Sequence, residues 1–163
     1  MANKHTIIGW RPSYSVGIRL VDEQHKELIN LTNKLFVNCL GGQERTRDTF
    51  LKVIHEAVDY VGYHFGTEEK VMGRVRYPDL PNHKRQHEAF VREVFSKVED
   101  FNKKKLMAPL QFVYFLRDWV LDHIAVSDKK MGDYLLYLQR SGELQKITLR
   151  VRKDEMTNRL QIM

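Results

Sequence analysis

His64-Phe65-Gly66-Thr67-Glu68-Glu69 is the stretch on which the reading of this chain turns. Each residue of an α-helix advances about 100°, so His64 and Glu68, four apart, lie about 40° apart and direct two side chains at one point. Phe50, Val53, Ala57, Val61 and Val71 flank the pair at helical spacing, which places it in an apolar stripe rather than on a polar face. By the same arithmetic Glu69 points about 140° away from His64. It is expected to be solvated, or to support a ligand rather than to be one.

Outward from that stretch the pattern repeats. His83 and His87 share the four-residue spacing in a stripe with Phe90, Val94 and Phe101, while His25 lies among Val21, Leu28, Thr32 and Phe36. His123 follows Phe112, Leu116 and Trp119 on one line. Four such segments, separated by glycine, proline or clustered charge, predict an all-α, up-and-down four-helix bundle.

The first helix is expected from Gly17 to Leu40, closing at Gly41-Gly42. The second starts with Asp48 as N-cap and continues through Val71 towards Gly73. After the turn-rich Tyr77-Pro78-Asp79-Leu80-Pro81-Asn82, Asn82 caps a third helix covering His83 to Phe101. Lys103 to Met107 link it to a fourth that opens near Pro109 and continues to about Arg140. The bundle thus occupies 17–140, with an N-terminal arm at 1–16 and a C-terminal extension at 141–163. In the extension Ile147, Leu149 and Val151 alternate with polar residues, as do Leu160 and Ile162, around the turn-like Lys153 to Asn158. This is the pattern of a small hairpin, which is marginal in water unless it packs on the bundle or on a partner.

The fourth helix carries a phase error. Phe112, Leu116, Trp119 and His123 form one stripe, and Asp128, Met131, Leu135 and Leu138 form another, out of register by one residue. One π-type turn between His123 and Asp128 absorbs the extra residue and brings Asp128 beside His123. The competing reading is an exposed helical aspartate, the commoner environment for that residue type.

Any one of these histidines alone reads best as a core residue satisfied by a neighbouring hydrogen bond. Five of them converging from four helices read differently, because each buried ring without a partner costs about a kcal/mol or more, whereas a metal ion satisfies the imidazole lone pairs together. The two other histidines serve as controls. His55 lies nine residues before His64, about 180° around the helix, and His5 is in the arm, so neither is expected to bind metal.

Composition narrows the classes further. A chain of 163 residues with 42% hydrophobic content suits one domain with its own core. Cys39 is the only cysteine, and the first thirty residues hold no apolar run flanked by a cleavage site, so a reducing cytoplasm is expected. No stretch approaches the roughly 20 apolar residues that cross a bilayer, so direct membrane insertion is not expected. The net charge of +6 is scattered among acidic residues, with only Lys103, Lys104 and Lys105 as a tight run, which argues against nucleic acid as a partner.

Taken together, Trp10, Gly17, Asp22-Glu23-Gln24-His25, His64 to Glu69, His83, His87, and Trp119-Val120-Leu121-Asp122-His123-Ile124 with Asp128 resemble the signature of the hemerythrin family in its bacterial single-domain form. The resemblance runs from about Trp10 to Leu138. It implies a non-haem di-iron centre, cycling between Fe2+ and Fe3+, with a bridging oxo or hydroxo group and dioxygen as ligand. His83, His87 and His123 would bind the coordinatively filled iron, His25 and His64 the iron that keeps a vacant place, and Glu68 and Asp128 would bridge both. Trp119, Val120 and Ile124, with Phe65 close by, would line the oxygen pocket, although ordinary core packing accounts for the same residues. Where the family often has leucine after the tryptophan, this chain has the smaller Val120.

The implied function is reversible oxygen binding, for storage, for delivery to an oxygen-consuming partner enzyme or for buffering, with no catalytic side chain. A histidine-rich shell gives iron less negative charge than the carboxylate-rich di-iron oxygenases do, which favours binding over activation. Two alternatives stay open. One is a di-iron redox enzyme acting on peroxide or nitric oxide, which needs a substrate channel and proton donors. The other is an oxygen- or iron-sensing module acting through its tail on a partner. A histidine-rich site also takes zinc, so iron rests on the resemblance rather than on the ligands.

Overall fold

A computed structural model describes residues 6–40, 47–102 and 109–145. A short 3-10 turn, Pro12–Tyr14, precedes α1 (Arg19–Leu40), α2 (Arg47–Arg74), α3 (Leu80–Asn102) and α4 (Pro109–His123). A π-helical turn, Ile124–Asp128, then joins α4 to α5 (Lys129–Arg140). The residues on either side of that turn, His123 and Lys129, keep right-handed helical dihedrals, so α4, the π turn and α5 form one continuous rod. The result is the predicted all-α four-helix bundle, with no strand among the described residues. The expected tail hairpin, the Gly41-Gly42 cap, the Lys103 to Met107 link and His5 lie outside them.

The helix starts differ from expectation. α1 begins at Arg19 because Gly17 has φ +78° and cannot belong to a right-handed helix. α2 begins at Arg47, so Asp48 lies inside the helix rather than capping it. For α3 the capping position falls to Asp79, whose carbonyl accepts from the backbone N–H of Asn82 (3.1 Å) and His83 (3.0 Å). Asn82 is inside the first turn and donates its side-chain amide to Asp79 Oδ2 (3.3 Å). The helix can begin this early because Pro81 falls in the first turn, where its missing N–H has no partner to lose.

The π turn repairs the phase error. With its extra residue absorbed, Asp128, Met131, Leu135 and Leu138 face the interior together with Phe112, Leu116 and His123. Two apolar clusters fill the bundle. One contains Leu31, Leu35, Ile54, Phe90 and Phe112, and the other contains Val21, Met72, Met131 and Leu135. Between them lies a band of buried polar residues, with His25, Glu68 and Asp128 at 0% exposure. Every helix therefore reads apolar, polar, apolar along its inner face. No helix among the described residues is long and apolar enough to cross a membrane.

The N-terminal arm is part of this packing. Ile8 is buried with Leu28, Ile29, Val120 and Ile124. Asn33 clasps the arm, accepting from the N–H of Ile7 and Ile8 (3.0 Å each) and donating to Ile8 O (2.8 Å). Farther on, Asp22 accepts from Ser15 Oγ (2.6 Å) and Val16 N–H (2.8 Å), and Lys129 Nζ donates to Ser15 O (2.9 Å). Val16 lies so close to α5 that a Cβ on Gly132 would stand 2.3 Å from the Val16 carbonyl oxygen.

Gly132→Ala should therefore destabilise the fold by about 1–3 kcal/mol through overpacking. Gly62→Ala, on an exposed part of α2 with nothing within 4 Å, should stabilise it by about 0.5–1 kcal/mol. Paired thermal melts check this, and equal effects at the two glycines would contradict the close approach of arm and α5.

Candidate metal centre

Each helix brings its share of the polar band to one height in the bundle. α1 supplies His25, α2 supplies His64 and Glu68, α3 supplies His83 and His87, and the rod of α4 and π turn supplies His123 and Asp128. All seven are buried, from 0% to 5% exposed. His55 is exposed on the outer face of α2, as its angular position predicts.

The donors fall into two sets. Glu68, His83, His87, His123 and Asp128 form one, and His25, His64, Glu68 and Asp128 form the other, with the donor atoms of each set within 4.8 Å of one another. In the first set the three Nε2 atoms stand 3.1 Å (His83 to His87), 3.0 Å (His87 to His123) and 3.2 Å (His123 to His83) apart. The carboxylates are shared between the sets, one oxygen each way. Glu68 Oε2 lies 3.3 Å from His83 and 3.4 Å from His87, whereas Oε1 lies 3.6 Å from both His25 and His64. Asp128 Oδ1 lies 3.2 Å from His83 and 3.1 Å from His123, whereas Oδ2 lies 3.1 Å from His25.

These residues fit metal ions by two tests. Imidazole nitrogens at about 2.1 Å from one ion and at right angles to each other stand roughly 3.0 Å apart, which is the spacing of the His83, His87 and His123 nitrogens. Five donors also exceed the four of a tetrahedral zinc site. The second test is the orphaned polar atoms. Both nitrogens of His25, Glu68 Oε1 and both oxygens of Asp128 are buried with no aligned hydrogen bond, a cost that few native sites leave unexplained. They converge as donors to a common point do, close but not aimed at one another.

Without a cation the cluster balances its charge with protons. Burial pulls the His25 and His83 rings down, but Asp128 and Glu68 beside them win and raise both to about 9. Burial dominates at His64, lowering it to about 4. Burial pushes the carboxyls of Glu68 and Asp128 up, yet the surrounding imidazoles hold both well below the usual carboxylate range.

The aromatic and aliphatic wall residues divide between the two sets. Phe65 stacks flat on His87 (ring centroids 3.6 Å, 3° between planes), and Trp119 stacks on His123 (4.3 Å, 13°), so both lie against the five-donor set. Val120 and Ile124 instead pack with Leu28, one turn from His25. An apolar cavity of about 30 Å³ lies above the band, walled in part by Leu28, Val61, Phe90 and Val120. These four residues stand three positions from His25, His64, His87 and His123 respectively. An open groove of about 410 Å³, bordered by Asp79, Gln86 and Asp122, reaches Trp119 and His123.

Sequence reasoning passed over Gln24. It is buried, accepts from His64 Nδ1 through Oε1 (3.1 Å) and donates through Nε2 to Thr67 Oγ1 (3.3 Å). Its signal was present, since Gln24 lies on the line of Leu28, Leu31 and Leu35, where a polar residue needs a partner. Glu69, left open between two roles, is half-buried and accepts from His87 Nδ1 (3.2 Å). Holding the far nitrogens in this way fixes the tautomer that turns each Nε2 lone pair toward the cluster.

Comparisons with known proteins agree with this arrangement. Residues 16–135 match the model of the hemerythrin HHE cation binding domain. A bacteriohemerythrin of Stenotrophomonas maltophilia is 31% identical over 133 residues, covering 78% of this chain and 80% of that protein. A hemerythrin-like protein of Naegleria gruberi is 31% identical over 121 residues, covering 74% and 87%. The crystal structure of a wild-type hemerythrin superposes with a TM-score of 0.71 at 27% identity, over 78% of this chain and 96% of that one. A bundle that aims five histidines and two shared carboxylates at one buried band, and matches these proteins along three quarters of its length, belongs to the hemerythrin family.

Proposed function

We propose that this chain binds dioxygen reversibly at a pair of iron ions. The observation that carries the reading is the division of seven donors into sets of five and four that share Glu68 and Asp128. On this reading His83, His87 and His123 would hold one ion and His25 and His64 the other, with Glu68 and Asp128 available to both. The four-donor set offers fewer protein ligands, so an ion held there would have room for an outside ligand. When bound, an iron pair supplies two electrons to dioxygen and recovers them on release.

The chain's own part is to position and to exclude. Gln24 and Glu69 orient His64 and His87. Leu28, Val120 and Ile124, covered by Ile8 from the arm, keep the His25 side apolar. An apolar cavity of this kind stays dry and admits a small apolar gas more readily than it admits an ion. Exclusion of water suppresses the side reactions that would consume the reduced centre. These walls favour the carrier reading over redox enzymology, which needs proton donors at the open position.

No side chain need act as acid, base or nucleophile, so the protein is read as a carrier rather than an enzyme. Storage, delivery to an oxygen-consuming enzyme and buffering all draw on the same property. Residues 17–140, with the arm packed over Val120 and Ile124, form the unit that performs it. Cys39, whose thiol is pushed up to about 11 by burial, is a poor thiolate and takes no part in this chemistry.

The direct test is a visible spectrum of the anaerobically reduced, iron-loaded protein as air is admitted and then removed. A charge-transfer band that appears with oxygen and vanishes without it is expected. Immediate, irreversible conversion to the ferric spectrum would move the assignment to redox chemistry.

Substitution tests the ligands. His64→Ala and Glu68→Ala should each sharply lower the iron retained after gel filtration, and His55→Ala should leave it unchanged. Equal losses at all three positions would overturn the assignment.

The raised His25 and His83 values give a pH test. Both rings carry protons at neutral pH in the metal-free protein, so iron must displace the protons of His25 and His83 at pH 7, and its affinity must fall as pH falls. The sign for stability is opposite. Groups raised from 6.5 to about 9 stabilise the metal-free fold fully below 6.5, and that contribution is lost as pH rises through 9. An indicator-dye titration with no proton release would contradict both statements.

A further inference from the structure

The two histidines whose far nitrogens are held by protein side chains are not held alike. His87, in the five-donor set, gives its Nδ1–H to a carboxylate, Glu69 Oε1, at 3.2 Å. His64, in the four-donor set, gives its Nδ1–H to a neutral amide, Gln24 Oε1, at 3.1 Å. Both partners are themselves fixed. Glu69 Oε2 has Lys84 Nζ at 3.6 Å, and the Gln24 amide donates to Thr67 Oγ1, which donates in turn to Tyr63 O (3.0 Å). Glu69 is only 26% exposed at its side chain, so its charge is incompletely screened by water.

A carboxylate behind a ligating imidazole raises the basicity of that ligand, and a neutral acceptor does so much less. Through its hydrogen bond to His87 the charge of Glu69 acts most directly on the five-donor set, while the amide of Gln24 brings no added charge to the four-donor set. We infer that Glu69 and Gln24 are positioning residues that make the two metal positions electronically unequal, with the ferric state favoured at the five-donor position. This rests on the di-iron reading above and adds the means by which the protein sets the electron balance between the two ions.

The inequality has a purpose in the same chemistry. With a neutral amide behind His64, the protein would leave the four-donor position less biased toward the ferric state than the five-donor one.

The test is a mediated redox titration of the iron-loaded protein in the strict absence of oxygen, with thermal midpoint and iron content measured alongside. Glu69→Gln keeps an acceptor for the His87 N–H and removes the charge, so it should shift a midpoint potential to more positive values. Glu69→Ala should shift it in the same direction and also weaken iron binding about 10- to 100-fold. Gln24→Glu, which adds a charge behind His64, should shift a midpoint potential to more negative values. A Glu69→Gln protein with wild-type potentials would overturn the inference, since orientation alone would then be the role of Glu69. Because no oxygen is present, this outcome is separate from a failure of reversible oxygen binding, which would count against the proposed function alone.

Discussion

Two carboxylates buried among five imidazoles are the constraint on which the rest of this structure depends. Glu68 and Asp128 are fully buried, and nitrogens of five imidazole rings stand 3.1 to 3.6 Å from their oxygens. A buried charge without compensation costs several kcal/mol, and a well-packed apolar core of the same volume would be more stable. The chain keeps the polar band and builds apolar packing above and below it, so that the loss of stability is local and its recovery is distributed. Protons on His25 and His83 are one form of compensation, and metal ions at this site would be another that also occupies the orphaned lone pairs of His25 and Asp128.

The unusual local geometry follows from the same constraint. An unbroken α-helix after His123 would turn Asp128 about 140° away from the cluster. The π turn corrects this, and one backbone irregularity supplies a carboxylate to both donor sets. Gly132, one turn further on, lets the chain at Val16 press against α5, and the clasp of Asn33 on Ile7 and Ile8 holds the arm over Val120 and Ile124. Access to the cluster is thus shaped by segments distant in sequence from any donor.

Much of this was legible in the sequence, and for identifiable reasons. Helical periodicity fixes which residues share a face, so the pairs His64 with Glu68 and His83 with His87, the exclusion of His55, and the phase error before Asp128 could all be read directly. Periodicity does not say which neighbour a face meets. That is why Phe65 and Trp119 could be placed in the core but not against His87 and His123, and why Gln24 and Glu69 could not be matched to His64 and His87. Helix starts depend on single backbone conformations, which is why Gly17 proved to lie outside α1 and Asp79 displaced Asn82 as the cap. The arm lacked a periodic signal because its burial comes from isolated side chains, Ile8 and Val16, rather than from a repeating face.

The central claim is that one set of seven side chains holds two ions through two shared carboxylates. Anaerobic titration of the metal-free protein with ferrous iron, followed through the ferrous ligand-field absorption and by metal analysis after desalting, tests it most directly. Saturation at two irons per chain is expected, and Asp128→Ala, which removes a donor from both sets at once, should weaken both. Saturation at a single iron, or loss of only one iron in the Asp128→Ala protein with the other held at unchanged affinity, would contradict it.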